Sequence, residues 1–247
     1  MKQIYGLIGY PLGHSFSKTF FNEKFQAEKI DAEYINFEIS RLKSFKEIIT
    51  RETRLQGMNV TIPYKQEIIK YLDELDETAR MIGAVNVIKF IRKSGKLILK
   101  GYNSDVIGFT ESIRPLLTPL HHNALILGTG GASKAVWYGL ESLDVTPAYV
   151  SRDSGKGLYT YNELSPEIMN KYKVIVNTTP VGMYPKVNEC PDIPYDYITP
   201  EHLFYDLIYN PDETLFMKKA KDKGATVKNG LEMLLLQAFA AWNIWNE

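Results

Sequence analysis

Apolar and polar residues alternate near the start of the chain. Over residues 32–39, Tyr34, Asn36 and Glu38 interleave with Ile35, Phe37 and Ile39, the period-two pattern of a strand that buries one face. Residues 3–10 predict another strand, closed by Pro11, Leu12 and Gly13 as a turn. A third runs through Gly57-Met58-Asn59-Val60-Thr61-Ile62. Its polar members, Asn59 and Thr61, stand two apart and so share a side. Pro63 has no N–H for the ladder and ends it, with Lys65 close behind. Helical spacing lies between these strands. Phe20, Phe21 and Phe25 mark a helix over 17–29, and 42–51 reads as a second. Residues 65–71 and 74–82 predict two more, and 86–91 with 96–102 flank Ser94-Gly95 as a hairpin.

Further along the pattern changes. Residues 123–127 form an apolar strand that leads into Gly128-Thr129-Gly130-Gly131-Ala132-Ser133-Lys134, with a helix over 134–143. Residues 148–150, 173–177 and 203–207 are strands of the buried type, and 231–245 is one long apolar-rich helix. The stretch 153–173 is rich in Gly and Tyr and offers only a weak helix. Strands alternating with helices predict a parallel, doubly wound sheet. The fold class is therefore α/β with two domains. An amino-terminal α/β domain covers 1–104 and is rejoined by the carboxy-terminal helix 230–247. A Rossmann-like dinucleotide-binding domain covers 105–229, with 105–113 as a helical crossover. There is no internal repeat or low-complexity segment.

Composition narrows the function classes. The 247 residues are 45% hydrophobic and 23% charged, with Lys+Arg and Asp+Glu balanced at 29 each, ordinary values for a globular protein with a real core. A general nucleic-acid or anionic-membrane surface is not expected from that balance, though a local basic pocket is compatible with it. One cysteine, Cys190, gives no disulfide framework and fits a reducing compartment. The first residues are too broken by Gly and Pro for a signal peptide, and the longest apolar run is too short for a bilayer. A cytoplasmic protein is the expectation, with small-molecule ligands, no nucleic acid, no membrane, and a monomeric or homodimeric state.

The strand, glycine loop and helix around Gly128, Gly130, Gly131 and Ala132 carry a dinucleotide signal. Glycines allow the tight turn and let backbone N–H groups approach a pyrophosphate at the helix N-terminus. The third fingerprint position holds Ser133 instead of Gly or Ala, and the loop also reads as a plain strand-to-helix turn. The specificity segment, about 20 residues on, is Ser151-Arg152-Asp153-Ser154-Gly155-Lys156. Asp153 suits a ribose hydroxyl, as NAD requires. Ser151, Arg152, Ser154 and Lys156 suit a 2′-phosphate, and this larger set favours NADP. A solvated charged turn is the other reading.

Taken together, six ordered motifs resemble the shikimate dehydrogenase family over nearly the whole chain. They are Gly9-Tyr10-Pro11-Leu12-Gly13-His14-Ser15-Phe16-Ser17; Asn59-Val60-Thr61-Ile62-Pro63-Tyr64-Lys65; Gly83-Ala84-Val85-Asn86; Gly101-Tyr102-Asn103-Ser104-Asp105 with Gly108; the loops at Asn177-Thr178-Thr179-Pro180-Val181-Gly182-Met183 and Asp206-Leu207-Ile208-Tyr209-Asn210-Pro211; and Asn229-Gly230-Leu231-Glu232-Met233-Leu234 with Gln237. The resemblance implies NADP-dependent reduction of 3-dehydroshikimate to shikimate, and a substrate-binding role for the amino-terminal domain. Ser104 replaces the family's usual Thr. Asp153 replaces the Thr that follows the family's Arg, so Lys156 would have to compensate.

The implied roles suit the residue types. Ser15 and Ser17 would donate to the substrate carboxylate just before a helix, whose N-terminus favours an anion; Ser17 also reads as a simple N-cap. Lys65 and Asp105 are the implied catalytic pair: an ammonium protonates the alkoxide that hydride addition leaves, and a carboxylate orients it or shares its proton. Either alone reads as a solvated lysine or a helix N-cap. Asn59, Asn86 and Asp105 would bracket the ring hydroxyls, with Thr61 and Gln237 completing the lining. A Gln amid Leu234, Leu235, Leu236, Ala238 and Phe239 is costly to bury without partners, which favours a site-facing role. Tyr209 would reach the carboxylate or else pack in the core. Thr178 and Gly230 fall on the implied nicotinamide side. His14, His121 and His122 lack metal-ligand spacing, and no metal is expected. A quinate/shikimate dehydrogenase using NAD, and a non-catalytic metabolite-binding regulator of the same fold, are the alternatives.

Overall fold

Alternation gives the amino-terminal sheet two different faces. Residues 2–13, 15–155 and 159–247 are described by a computed structural model of the chain. Two compact units emerge: Met1–Ser104 with Ala238–Glu247, and Asp105–Gln237. The first holds β1 (Gln3–Gly9), α1 (Phe16–Ala27), β2 (Ala32–Glu38), α2 (Phe45–Arg51), β3 (Leu55–Val60), β4 (Glu74–Leu75), α3 (Glu77–Ile82), β5 (Val87–Lys93) and β6 (Lys96–Tyr102). Its sheet runs β2-β1-β3-β5-β6-β4. The β2, β1 and β3 strands are mutually parallel, whereas β3, β5 and β6 pair antiparallel.

Ile4 and Ile8 of β1 join a core with Phe45, Met58, Ile68 and Ile88, while Tyr5 and Leu7 point into another with Phe21, Phe25, Tyr34 and Trp245. The second core is aromatic. The Tyr5 and Trp245 rings lie 4.9 Å apart, as do those of Phe21 and Tyr34. Trp245 also donates its indole N–H to the Ile88 carbonyl at 3.1 Å, so its one polar atom is satisfied.

The other unit holds α4 (Asp105–Ile113), β7 (Asn123–Leu127), α5 (Gly131–Glu141), β8 (Thr146–Ser151), β9 (Tyr159–Thr160), α6 (Pro166–Lys171), β10 (Val174–Asn177), β11 (Leu203–Asp206), α7 (Leu215–Lys221) and β12 (Thr226–Lys228); α8 (Leu231–Asn246) begins in it. Its sheet order is β12-β11-β10-β7-β8-β9, all pairs parallel. Counted from β7 as the first strand, this is the 3-2-1-4-5-6 order of a doubly wound nucleotide-binding sheet, reversing between β7 and β10. Leu125, Leu127, Ile175 and Phe204 fill one face, and Ala124, Ile126, Val174 and Val176 the other. Burial on both faces is why these strands read as unbroken apolar runs.

Several predicted boundaries shift. The helix expected over 74–82 splits, because Asp76 accepts from Thr78 N and Ala79 N and so caps a helix that starts at Glu77, leaving Glu74–Leu75 to pair with β6. The helix expected over 65–71 is a short 3-10 turn, Glu67–Tyr71. The strand expected through Ile62 stops at Val60. The α5 helix starts at Gly131, three residues earlier than expected, since glycine N-terminal positions leave no apolar signal. The short β9 and β12 strands and α7 lie below what residue patterns resolve. The connectors into β7 and β11 share one local design that periodicity does not reveal: Thr-Pro-Leu-His at 118–121 and Thr-Pro-Glu-His at 199–202. In each the Thr N–H donates to the His Nδ1 at 3.0 Å, and the His Nε2 meets a carbonyl, of Glu201 or of Met169.

Candidate active site

In the first unit the polar residues on one side of the sheet form a connected chain. Asn59, near the end of β3, is 6% exposed. Its Oδ1 accepts from the Tyr34 hydroxyl at 2.7 Å and its Nδ2 donates to the Asn86 carbonyl at 3.2 Å. Burial raises the Tyr34 phenol well above its ordinary pKa, and the Ser17 hydroxyl, hydrogen-bonded to it, works the other way. Tyr34 therefore stays protonated and acts as a donor, which fixes the orientation of the Asn59 amide. Asn86 in turn donates from Nδ2 to the Ser104 hydroxyl at 3.0 Å and accepts the Ser104 N–H on Oδ1 at 2.7 Å. Ser104 is the residue immediately before Asp105, so this bond pins the chain at that point.

Thr61 lies past the strand end, which corrects its expected place within β3. Its N–H still donates to Ile8 O at 2.9 Å, but its carbonyl accepts Tyr64 N at 2.9 Å and begins a turn. The shared side with Asn59 nonetheless survives. A Cβ at Gly9 would lie 2.4 Å from the Thr61 methyl, and Gly9 and Leu7 face one way. Asn59 is the register partner of Leu7, so all three share that face. Lys65 follows the turn, half-buried, and its carbonyl accepts the N–H of Val85, the residue before Asn86, at 2.7 Å. The tie places the lysine backbone beside the Gly83–Asn86 corner.

Ser15 rather than Ser17 is the N-cap of α1, with Oγ accepting Lys18 N at 3.2 Å; Ser17 sits inside the first turn, where its hydroxyl serves Tyr34 instead. His14 lies outside the described residues, and so does Lys156.

In the second unit the site is mostly backbone. Gly128 has φ +99°, a left-handed conformation that favours glycine, and its N–H donates to Val150 O at 2.9 Å. Thr178 closes over the end of β7, with both its N–H and its hydroxyl donating to Leu127 O at 3.0 and 2.7 Å. A Cβ on Gly130 or Gly131 would meet nothing within 4 Å. Gly130 is the N-cap of α5, and Ala132 lies in its first turn. An open floor, a helix N-terminus and a side-chain-free approach suit a pyrophosphate. Ser133 explains its own departure from the fingerprint: fully buried, it turns its hydroxyl back to Gly130 O at 2.7 Å and tightens the turn.

Ser151 ends β8 and accepts Asp153 N at 3.3 Å, and Arg152 stands exposed beside it. Burial raises the Tyr161 phenol, and the Arg152 charge works the other way. Tyr209, just past β11, is 41% exposed, which sets aside the core-packing reading. Asp105 is the first helical residue of α4, inside the helix and not its N-cap, and is buried. Gln237 is half-buried on α8 and donates to Leu234 O at 2.9 Å. Gly230 comes within 2.1 Å, measured from a would-be Cβ, of Leu207 O, so only glycine fits there. No group of three His, Cys, Asp or Glu among the described residues could hold a metal.

Ser104, Tyr34, Asn177, Asp206 and Thr214 carry polar architecture that the motifs do not assign. A signal for Asp206 is present in the sequence: a carboxylate closing the apolar run Leu203-Phe204-Tyr205.

A parallel sheet of this order with an open glycine turn at its reversal point defines a dinucleotide-binding protein of the dehydrogenase type. Residues 7–88 match the family described as shikimate dehydrogenase substrate binding domain. The chain is 39% identical, over 98% of itself and 90% of the relative, to the shikimate dehydrogenase (NADP(+)) of Methanosphaera stadtmanae. It is 40% identical, over 99% of itself and 91% of the relative, to that of Aquifex aeolicus. The crystal structure of the Thermus thermophilus shikimate 5-dehydrogenase with NADP(H) and shikimate superposes with a TM-score of 0.85 at 28% identity, covering 98% of this chain and 93% of that one. The chain belongs to the shikimate dehydrogenase family.

Proposed function

We propose that the chain catalyses the reversible, NADPH-dependent reduction of 3-dehydroshikimate to shikimate, a step toward aromatic amino acids. The observation that supports it most is the buried Asn59–Asn86 amide pair. Its orientation is set by Tyr34 and Ser104, and it lies next to the Lys65 tie at Val85. Preset amides suit the vicinal hydroxyls of a polyhydroxylated ring, because an analogue lacking a hydroxyl leaves a buried polar group unpaired.

Ser15 and Ser17, at the start of α1, receive the substrate carboxylate, together with Tyr209. Thr61 and Gln237 line the ring. Gly128, Gly130, Gly131 and Ala132 hold the pyrophosphate of NADP, Ser151, Arg152 and Lys156 its 2′-phosphate, and Thr178 and Gly230 the nicotinamide side. When bound, NADPH supplies the hydride. The Lys65 ammonium delivers the proton to the former carbonyl oxygen and stabilises its developing charge. Asp105 orients that ammonium, so the two titrate as a pair. Residues 1–104 form the substrate-binding domain and 105–229 the NADP-binding one. An even charge balance and a single cysteine fit a cytoplasmic protein; no helix among the described residues is long and apolar enough to cross a membrane.

Steady-state oxidation of shikimate and quinate with NADP⁺ and NAD⁺ tests the reading. The highest kcat/KM is expected for shikimate with NADP⁺. A higher value for quinate with NAD⁺ would move the chain to the quinate/shikimate branch that exposed Asp153 keeps open. Lys65→Ala should lower kcat by roughly 10²–10⁴-fold, the span of general acid–base catalysis. Full turnover in that variant would remove the catalytic role of Lys65.

A further inference from the structure

Asp206 is fully buried at the end of β11, and its hydrogen-bond partners are uncharged donors. Its Oδ1 accepts from Asn177 Nδ2 and from Ile208 N, both at 3.0 Å, and its Oδ2 accepts from the Thr214 hydroxyl at 2.6 Å. Asn177 passes the contact on. Its Oδ1 accepts both the N–H and the hydroxyl of Thr179, at 3.0 and 2.7 Å. Its backbone carbonyl accepts Leu207 N at 3.0 Å. The next residue, Thr178, is bonded to the end of β7, and Thr178 and Thr179 lie against Gly128. On the other side Ile208 O accepts Gly230 N, and Leu207 O lies against Gly230. Thr214 caps α7 through Met217 N. One carboxylate thus joins the segment after β10, the segment after β11, the start of α7 and, through Ile208, the start of α8.

The chemistry of this junction requires an acceptor. Three converging donors leave three unsatisfied groups if the side chain is apolar. A carboxylate offers two acceptor oxygens and no competing proton. Burial holds the Asp206 carboxyl up at about 6, against the pull of its three hydrogen bonds. The chain keeps an acid in a place where ionisation is penalised, and the geometry shows what the acid holds in place.

We propose that Asp206 is a positioning residue for the cofactor side of the reaction: it locks segments 177–182 and 207–211 together, and so places Thr178, Tyr209 and Gly230. The inference rests on the NADP-dependent reading above.

The test uses the full chain, with NADP⁺ binding followed by calorimetry, amide hydrogen exchange of 177–182 and 207–211, and shikimate kinetics, each well below the variant's melting temperature. Asp206→Ala should weaken NADP⁺ binding about tenfold and lower kcat about 100-fold, the scale of a misplaced reacting group. Its KM for shikimate should rise no more than about threefold, because Tyr209 is the one residue read as touching the substrate that lies in these segments, and exchange should rise in both segments. Asp206→Asn keeps the Oδ1 acceptor for Asn177 and Ile208 and reverses only the Thr214 bond, whose hydroxyl can accept from the new amide, so it should stay within about threefold of the natural chain throughout. Met169→Ala, in the core of α6, is the control for lost stability alone: a lower melting temperature, unchanged binding and exchange. If Asp206→Ala does no more than Met169→Ala, or if Asp206→Asn is as impaired as Asp206→Ala, the proposal fails. Should Asp206→Ala not fold, Asn177→Ala carries the same readouts. If the natural chain itself does not bind NADP⁺, the functional reading falls instead, and exchange in the ligand-free variants still decides the junction.

Discussion

The two units build the binding groups proposed for them from different materials. In the first, the proposed recognition groups are side chains: Asn59 and Asn86 are buried amides whose orientation depends on Tyr34, Ser104 and each other. In the second, they are mainly backbone: an open turn at Gly130 and Gly131, a helix N-terminus, and threonines that fold over the end of β7. The difference follows from what each is read as binding. A small polyhydroxylated ring is told from its analogues by a few directional hydrogen bonds. A pyrophosphate needs charge complementarity and room for main-chain N–H groups. Side-chain sites therefore lose specificity when an atom is removed, and backbone sites fail when an atom is added.

Asn86→Ala should break this comparison hardest. It orphans the Ser104 N–H and removes one of the amides proposed to bind the ring, so stability should fall by about 2–4 kcal/mol, and kcat/KM for shikimate by on the order of 100-fold or more. Affinity for NADP⁺, measured separately by calorimetry, should hold within about twofold. An equal loss of both ligands would show that the two proposed sets of binding groups are not energetically separable.

Asp206→Asn probes the second half through pH. The folded carboxyl sits at about 6 and its ordinary value is 3.8. Between those values the folded state binds more protons than the unfolded one, so this group's contribution falls as pH rises through that window. It is fully present below about pH 4 and lost above about pH 6. The amide variant lacks the loss. Its stability relative to the natural chain should therefore rise by up to about 3 kcal/mol between pH 4 and pH 8, because each tenfold difference in proton affinity between the folded and unfolded states is worth about 1.4 kcal/mol. Urea denaturation at the two pH values measures it, and a difference that stays flat contradicts the assignment.

Gly128→Ala adds one methyl to the backbone-built side. Its φ of +99° and a contact 2.9 Å from the Thr179 methyl should cost about 1–3 kcal/mol. The expected signature is a weaker NADP⁺ complex with shikimate binding unchanged, the reverse of Asn86→Ala. Arg152→Ala is the smallest test. It should raise KM for NADP⁺ about tenfold, in line with a lost charge-assisted contact, and leave NAD⁺ nearly unaffected. Equal effects on the two cofactors would remove the 2′-phosphate role.

Legibility in the sequence follows the range of the interaction. Buried parallel strands announce themselves as apolar runs at β7, β10 and β11, because both faces are covered. The glycine turn is legible because a tight strand-to-helix turn requires glycine itself. Local competition blurs other places. Asp76 draws the start of α3 to Glu77 by capping, and the Thr61 carbonyl leaves the ladder to accept Tyr64 N. Both depend on which of two nearby partners a backbone group takes, and periodicity does not rank them. At the end of β11 the sequence shows a carboxylate closing an apolar strand but not what it holds, since its side-chain partners lie 29 residues back and 8 ahead.

By itself, the sequence determined the class of fold, the family it resembles, and the chemical types of the proposed site: paired amides, a lysine, an acid, hydroxyls before a helix, and a glycine turn. Those follow from residue identity and from spacings of a few positions. Tertiary structure decided what each polar group is bonded to, and hence which way it faces. Tyr34 orients Asn59 across 25 residues, Asn86 holds Ser104 across 18, and Asp206 joins two loops. A buried donor or acceptor must find a partner, and only the folded chain brings that partner within about 3 Å.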